Sequence, residues 1–418
     1  MIKRRITFVI EKLAHRSGGA ERVLIDTANA LYERGYQVEI ISHEYRGKPP
    51  FYPLHFGIVH TNIRPQRKVR SALRRFLDKL RGRIHEHGIL PPPFDRAVWF
   101  SRHGGFWRRL EHHLNVTEPD AVIAFMPPAI TALSLASPVK RPIKLASMHN
   151  APTQDFDNPL RWDPAPYDRR RRLDLMSGMD RIGVLLPEYK SWYPKELLER
   201  VVVIPNAVHR VPASKLSGER RPIILSVGRL AHVKRHDLLL RSFARLADKF
   251  PEWELRIYGT GPLEVELNAL RNKLGLQGRA FLMGHTKTIN EIYLEASILA
   301  HPAEYEGFPL AVTESLASGL PVVGFSDCSG LNQLVKNGQN GILVNTVGDQ
   351  EDTGQATAGS QREDAFVAAL EYMMFDDDLR NRLGKAGPYS MEPYAPDKVI
   401  DLWERTLFPD NDSIGKVN

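Results

Sequence analysis

The chain has 418 residues, enough for two or three domains with sizeable cores. Hydrophobic residues make up 42% and charged residues 25%, and the one cysteine, Cys328, excludes a disulfide framework and any zinc site built on several cysteines. The net charge of +8 is uneven enough to raise anionic lipid and nucleic acid as candidate partners.

The start of the chain is basic, and its apolar run ends at Ile10, too short for a signal peptide. It predicts a first strand over Ile6–Ile10. The loop Lys12 to Arg22 follows, with Gly18-Gly19 near its end. Ala20, Val23, Leu24, Ala28 and Leu31 then mark one helix face, and Gly35 closes the helix. A Gly-Gly pair at a helix start lets a ligand approach the backbone N–H groups, and equally serves as a plain tight turn. It is not Gly-x-Gly-x-x-Gly, so a dinucleotide dehydrogenase loses its main support. A second strand is expected at Gln37–Ser42.

Arg64, Arg67, Lys68, Arg70, Arg74, Arg75, Lys79, Arg81 and Arg83 then crowd one stretch whose only acid is Asp78. Val69, Leu73, Phe76, Leu77, Leu80 and Ile84 fall at helical spacing within it. Such a basic amphipathic helix suits an anionic membrane surface, with Arg67, Lys68, Arg70, Arg74 and Arg75 as contacts. It equally suits packing on its own domain. No nucleic-acid motif accompanies the charge, so nucleic acid is not expected as a partner.

Ala121 to Val139 carries no charge, but Pro127-Pro128 interrupts it. The pattern predicts a buried strand, a Pro turn and a short helix rather than a membrane span. His149 follows a strand at Lys144–Met148 and either faces a ligand or ties down its own loop. Asp155-Phe156-Asp157 is an Asp-x-Asp, here expected to be a solvated turn, and no metal site is expected. Arg161 to Arg172, with four successive arginines, is expected to be a solvated helix start. Strands at Ile182–Leu186 and Val201–Ile204 complete the first half.

His209 to Pro222 is polar and reads as a linker. Beyond it come strands at Ile223–Val227, Glu254–Tyr258, Ala280–Met283, Ile298–His301, Pro321–Phe325 and Ile342–Val344, alternating with helices as in parallel α/β sheets. Arg229 offers a planar fork and Lys234 a mobile point charge, both after a strand, and together they can neutralise a diphosphate without a metal. Glu306 and Glu314 bracket Gly307-Phe308-Pro309, with Pro309 expected at the first helical position and Gly319 at the helix end. A carboxylate accepts hydrogen bonds from a sugar diol, and the helix start between the two offers N–H donors to an anion. Asn345 to Arg362 is expected to be a long surface loop, Asp397 to Leu407 a last helix, and Pro409–Asn418 a disordered tail.

Taken together, Gly18-Gly19-Ala20-Glu21, Pro205-Asn206-Ala207-Val208, Gly228-Arg229-Leu230 with Lys234, Gly259-Thr260-Gly261-Pro262 and the Glu306 to Glu314 stretch resemble the retaining glycosyltransferases of the GT-B fold, family 4 (glycosyl transferases group 1). The resemblance runs from about Ile6 to Leu407. It implies an α/β fold of two Rossmann-like domains whose parallel sheets face a central cleft. Residues 1–208 would form an acceptor-binding domain, 209–222 a linker, 223–390 a nucleotide-sugar domain, 391–408 a C-terminal helix packing toward the first domain, and 409–418 a tail. It further implies that Gly18, Gly19, Arg229 and Lys234 bind the donor diphosphate. His149 and Glu306 would be catalytic, at the transferred sugar. Gly307, Phe308 and Leu310 would give backbone N–H groups, Glu314 would take the ribose, and Gly284 and His285 would hold the base. Ser329-Gly330-Leu331-Asn332-Gln333 departs from the pattern, because many members have a Glu where Gln333 stands.

The expected function is transfer of a hexose-type sugar from a UDP- or GDP-sugar to a glycan acceptor linked to polyprenyl diphosphate, in polysaccharide or glycoconjugate assembly. No cofactor or metal is expected. The expected place is the cytoplasm, at the inner face of a membrane. A GT-B phosphorylase or epimerase, or a sugar-nucleotide-binding protein without catalysis, are the alternatives, although no cofactor-lysine motif of a phosphorylase is found.

Overall fold

The computed structural model describes residues 4–45, 49–65, 80, 83–84, 92–162, 165–345 and 355–409. Arg67, Lys68, Arg70, Arg74 and Arg75, the expected membrane contacts, lie outside the described residues, as does the tail from residue 410 on. The chain divides into two compact units, one of residues up to Asn206 plus the chain from Val399, the other Ala207–Lys398.

The first unit is built on seven parallel strands: β1 Arg5–Ile10, β2 Gln37–Ser42, β3 Val59–Asn62, β4 Ala121–Phe125, β5 Ile143–Ser147, β6 Arg181–Val184 and β7 Val201–Val203. Their spatial order is β3-β2-β1-β4-β5-β6-β7. β1 pairs with both β2 and β4, so the strand order reverses there. The central strands are near-continuous apolar runs because a parallel sheet is covered on both faces; all five residues of β4 are buried. Helix α1, Gly19–Glu33, buries Val23, Leu24, Ala28 and Leu31 at helical spacing. Helices α2 (Pro92–Thr117), α3 (Met126–Leu135) and α4 (Pro166–Leu175) follow in this unit. Among the described residues, no helix is long and apolar enough to cross a membrane.

The second unit has six strands: β8 Ile223–Val227, β9 Glu254–Tyr258, β10 Ala280–Gly284, β11 Ile298–His301, β12 Val322–Phe325 and β13 Gly341–Val344. Their order is β10-β9-β8-β11-β12-β13, so the reversal falls between β8 and β11. Its helices are α5 Ala213–Leu216, α6 His236–Ala244, α7 Glu264–Lys273, α8 Ile289–Glu295, α9 Leu310–Ala317, α10 Leu331–Leu334, α11 Gln355–Phe375 and α12 Asp377–Met391. The last helix, α13 (Pro396–Leu407), returns the chain to the first unit. It buries Val399, Ile400, Trp403 and Leu407, and its Asp401 and Glu404 accept from Arg34 at the end of α1.

Several sequence expectations change. Strand β3 adds to the expected set; it is an edge strand with polar His60, Thr61 and Asn62 and little apolar signal. The expected loop Asn345 to Arg362 is helical from Gln355 onward; Gln355, Ala356 and Ala358 are good helix formers. Asp155-Phe156-Asp157 is not a solvated turn. It lies in a π-helical turn, Thr153–Asp157, with Asp155 only 1% exposed. The Asp155 carboxylate accepts from Asn150 (2.9 Å) and from the Trp162 indole (2.8 Å). Arg161 to Arg172 is not simply solvated either. Arg172 is buried and donates to the Asp155 carbonyl, while Arg171 bridges the buried Asp95 and Asp168 at 2.8 and 3.0 Å. Pro127 and Pro128 open α3 rather than forming a turn before it. Pro309 is the N-cap with extended backbone, and α9 begins one residue later.

Candidate active site

In open α/β sheets, ligands bind beyond the carboxyl ends of the strands, where the order reverses. In the second unit those ends carry Gly228 to Lys234 after β8 and Pro302 to Pro309 after β11. The two loops are bonded to each other, since the Glu304 N–H donates to the Val233 carbonyl at 2.9 Å.

The first loop is shaped by the Gly259-Thr260-Gly261 segment beside it. Leu230 N–H donates to the Thr260 carbonyl at 3.1 Å, and Leu263 N–H donates back to the Leu230 carbonyl at 3.1 Å. Gly259 has φ +141, and a Cβ there would lie 1.9 Å from the Gly228 carbonyl oxygen. Arg229 leaves this loop exposed. The chain then makes a tight turn at His232–Lys234, and the half-buried Lys234 side chain folds back over Gly228.

There Lys234 forms an ion pair with Glu306, across 72 positions of sequence. The same carboxylate oxygen, Oε1, lies 2.8 Å from His301 Nε2, at the end of β11. Burial alone would raise the Glu306 pKa, but the Lys234 ammonium and the His301 hydrogen bond override it and hold the group at about 2. Glu306 is therefore an ionised acceptor throughout the neutral range, suited to hydroxyls and unable to supply a proton. Its backbone is fixed as well, because Glu306 N–H donates to the Ser329 carbonyl at 3.0 Å. Gly330, at φ +78, permits this approach: a Cβ there would sit 2.7 Å from the Glu306 carbonyl oxygen. Gln333, where the resemblance leads to the expectation of a Glu, is half-buried on α10.

The Phe308 ring is 6% exposed and packs edge-on against Tyr394, so only its backbone can meet a ligand. Gly307 is buried and Leu310, the first residue of α9, is half-buried. Glu314 is half-buried one turn further along α9 and accepts from the Tyr293 hydroxyl at 3.1 Å. Gly284 ends β10 at a shift of register and accepts from Gly259 N–H at 2.8 Å, with the exposed His285 following it. The fold thus brings Lys234 and Glu306 into contact, while Glu314 and His285 stand on other elements of the same unit.

In the first unit, Gly18 is the N-cap of α1 in extended conformation, and Gly18 and Gly19 are both exposed. Glu44 shapes the loop before them by accepting from the Leu13 and Ala14 N–H groups at 3.1 Å each. His149 follows β5 with Nε2 3.0 Å from Ser147 Oγ and its ring stacked on Phe125 at 4.5 Å. Burial holds it neutral, with its pKa pushed down to about 3.

Two histidines beside the site go beyond the sequence expectations. His301 ends an apolar strand five positions before Glu306, and that placement is the one local signal it gives. His236, 3% exposed, is pushed to about 3 by burial, reinforced by Lys234 and His301.

These histidines make stability depend on pH. Burial lowers His43 to about 4, His149 and His236 to about 3, and His301 in the same direction. The unfolded chain, with ordinary values near 6.5, then binds more protons than the folded one below that pH. Stability should be flat above about pH 7 and fall as pH drops through 6.5, each such imidazole adding a slope of up to about 1.4 kcal/mol per pH unit. Glu306, depressed in the folded state, adds a further loss below its ordinary 4.5. Calorimetric melting between pH 7.5 and 5 should show a steady fall in Tm, and an unchanged Tm would contradict the buried neutral assignment.

Among the described residues, no group of three or more His, Cys, Asp or Glu is arranged to hold a metal ion. The chain matches two family profiles, Glycosyltransferase Family 4 over residues 17–210 and Glycosyl transferases group 1 over residues 209–389. It is 25% identical over 405 residues to an uncharacterized glycosyltransferase of Haemophilus influenzae, covering 97% of this chain and 100% of that one. It is also 25% identical over 407 residues to a Campylobacter jejuni protein, covering 96% and 98% of the two chains. That protein is named GalNAc-alpha-(1->4)-GalNAc-alpha-(1->3)-diNAcBac-PP-undecaprenol alpha-1,4-N-acetyl-D-galactosaminyltransferase. Among solved structures, a point mutant of S. aureus TarM in complex with Fondaparinux, alpha-GlcNAc-glycerol and UDP superposes with a TM-score of 0.70 at 13% identity, covering 97% of this chain and 100% of that one. The two parallel sheets, the two profile matches and the shared fold agree, and the chain belongs to the glycosyltransferases of the GT-B fold.

Proposed function

We propose that this glycosyltransferase moves a hexose-type sugar, with retention of anomeric configuration, from a UDP- or GDP-sugar to a lipid-linked glycan. The observation that carries the donor half is the contact of Lys234 with Glu306 at the strand reversal of the second unit. It sets a cation suited to a diphosphate beside a carboxylate suited to sugar hydroxyls. Lys234 and Arg229 take the charge that develops on the leaving diphosphate, helped by N–H groups of Gly307, Phe308 and Leu310 at the start of α9. Glu306 reads the hydroxyls of the transferred sugar. Glu314, steadied by Tyr293, takes the ribose, and Gly284 with His285 flanks the base. Gly18, Gly19 and His149 of the first unit are assigned to the diphosphate and the sugar on the resemblance alone.

Retention is assigned on the family resemblance, and the state of Glu306 sets that residue's own part in it. A carboxylate held at about 2 beside an ammonium can neither donate a proton nor act as an effective base at neutral pH. On the family resemblance, the leaving diphosphate is the group that accepts the acceptor's proton, on the same face of the sugar. With two basic side chains at hand the reaction needs no divalent cation, so activity should survive a chelator.

The lipid-linked acceptor is supported by the undecaprenol-linked glycan in the name of the Campylobacter relative, matched over 96% of this chain. Binding of the protein to anionic vesicles, weakening as salt rises, would support a peripheral location through Arg67 to Arg75. The donor half is tested by thermal shift with UDP, GDP and their hexose conjugates on the native chain and on Glu306→Gln. The variant should keep the stabilisation by the free nucleotide and lose the added effect of the sugar. An unchanged response and unchanged transfer would remove Glu306 from the site.

A further inference from the structure

We infer that His301 is a positioning residue that sets the orientation of the Glu306 carboxylate for the transferred sugar, an assignment that rests on the reading of Glu306 given above. His301 is the last residue of β11 and only 2% exposed, so its ring is fixed by the sheet rather than by solvent. Its Nε2 lies 2.8 Å from Glu306 Oε1, the oxygen that also meets Lys234. An ionised carboxylate only accepts hydrogen bonds, so Nε2 must carry the proton.

The two contacts on Oε1 differ in what a donor does to them. Lys234 is the group that a diphosphate attracts, and its flexible stem can turn toward phosphate oxygens. The His301 contact does not compete for that charge. It remains on Glu306 whether Lys234 faces the carboxylate or the diphosphate, and it keeps the carboxylate plane fixed while the sugar is read. The charged and titratable groups around the imidazole are consistent with a neutral donor. Glu306 favours its protonation, while burial and Lys234 oppose it, and the neutral, buried His236 lies beyond. A lysine or arginine here would add a second fixed cation to the carboxylate and weaken its hold on hydroxyls; a neutral N–H does not.

The test compares His301→Leu, which keeps bulk without a donor, with His301→Gln, whose amide can reach toward the Nε2 position. Binding of UDP and GDP is measured by calorimetry, and transfer is followed with the UDP- or GDP-hexose that the native enzyme consumes. His301→Leu should lower kcat on the order of 10- to 100-fold, as a misplaced reading group does, with nucleotide binding unchanged within about 2-fold. His301→Gln should recover most of the loss. Long-range proton–nitrogen NMR on the native chain adds a reading that needs no variant: His301 should be the neutral Nε2–H tautomer from about pH 6 to 8. Full kcat in His301→Leu, equal losses in both variants, or an Nδ1–H tautomer overturns the inference. If Glu306→Gln is itself fully active, the reading of Glu306 fails first; if Glu306→Gln is inactive while His301→Leu is active, only this inference fails.

Discussion

Lys234→Ala is expected to reduce kcat/KM by about 10²- to 10³-fold, the range seen when a preorganised charge-stabilising group is removed. A unit charge about 4 Å from a developing anion contributes about 4 kcal/mol at the effective dielectric of a partly exposed site, which sets the upper end of that range. The variant carries a second cost. Glu306 would lose its cationic partner and keep the His301 hydrogen bond, although burial penalises its charge. Removing one member of a buried ion pair commonly costs about 3–5 kcal/mol. Both side chains here retain some exposure, at 20% and 14%, which lowers the expected loss; about 2 kcal/mol is expected. The Glu306 pKa should rise in the variant, so the stability loss is largest near neutral pH and shrinks as pH falls through that raised value and the carboxylate protonates. Donor consumption at saturating acceptor, with a melting curve on the same sample, reads both effects. A variant within about 3-fold of native kcat/KM would show that Lys234 does not meet the diphosphate.

The second large effect is expected at Gly259, a residue with no proposed ligand contact. Its φ of +141 suits glycine, and an added Cβ would stand 1.9 Å from the Gly228 carbonyl oxygen. That atom belongs to a backbone loop that cannot rotate away as a side chain could. Gly259→Ala must therefore push the Gly228-Arg229-Leu230 loop out of place. It should cost at least about 3 kcal/mol, combining backbone strain with overpacking, and should impair transfer as Lys234 and Arg229 move. Gly275→Ala is the control, since Gly275 also has positive φ (+69) but meets nothing within 4 Å. It should cost only about 1 kcal/mol and leave transfer intact. Equal melting temperatures for the two variants would show that the close approach adds nothing to the strain of the backbone angle.

Much of the fold is legible because the buried strands announce themselves. Gln37–Ser42, Ile223–Val227, Glu254–Tyr258 and Ile298–His301 stand where their apolar runs place them. β3 escapes because an edge strand needs little apolar sequence and His60, Thr61 and Asn62 give none. The helix from Gln355 escapes for a different reason: its first residues lie in a polar stretch that reads as loop by composition.

The site is legible as residues and less so as contacts. Glu306 and Lys234 each stand out in their local setting, but their ion pair joins positions 72 apart and no local pattern encodes it. Asp155 shows the same limit from the other side. An Asp-x-Asp beside Pro and Asn reads as a solvated turn, yet Asp155 is buried, with Oδ1 accepting from Asn150 and Trp162 and with Arg161 and Arg172 nearby. A histidine closing an apolar strand, as His301 does, looks like a strand end until the chain returns with Glu306.

The central claim is that the second unit holds a nucleoside-diphosphate sugar by charge and by hydroxyls, and gives up the sugar with its configuration kept. Proton NMR of the anomeric signal tests this directly, with the native enzyme, a panel of UDP- and GDP-hexoses, an undecaprenyl-diphosphate-linked glycan and excess chelator. One donor should be consumed, and the new linkage should have that donor's own anomeric configuration. An inverted linkage, or consumption that requires a divalent cation, would contradict the claim.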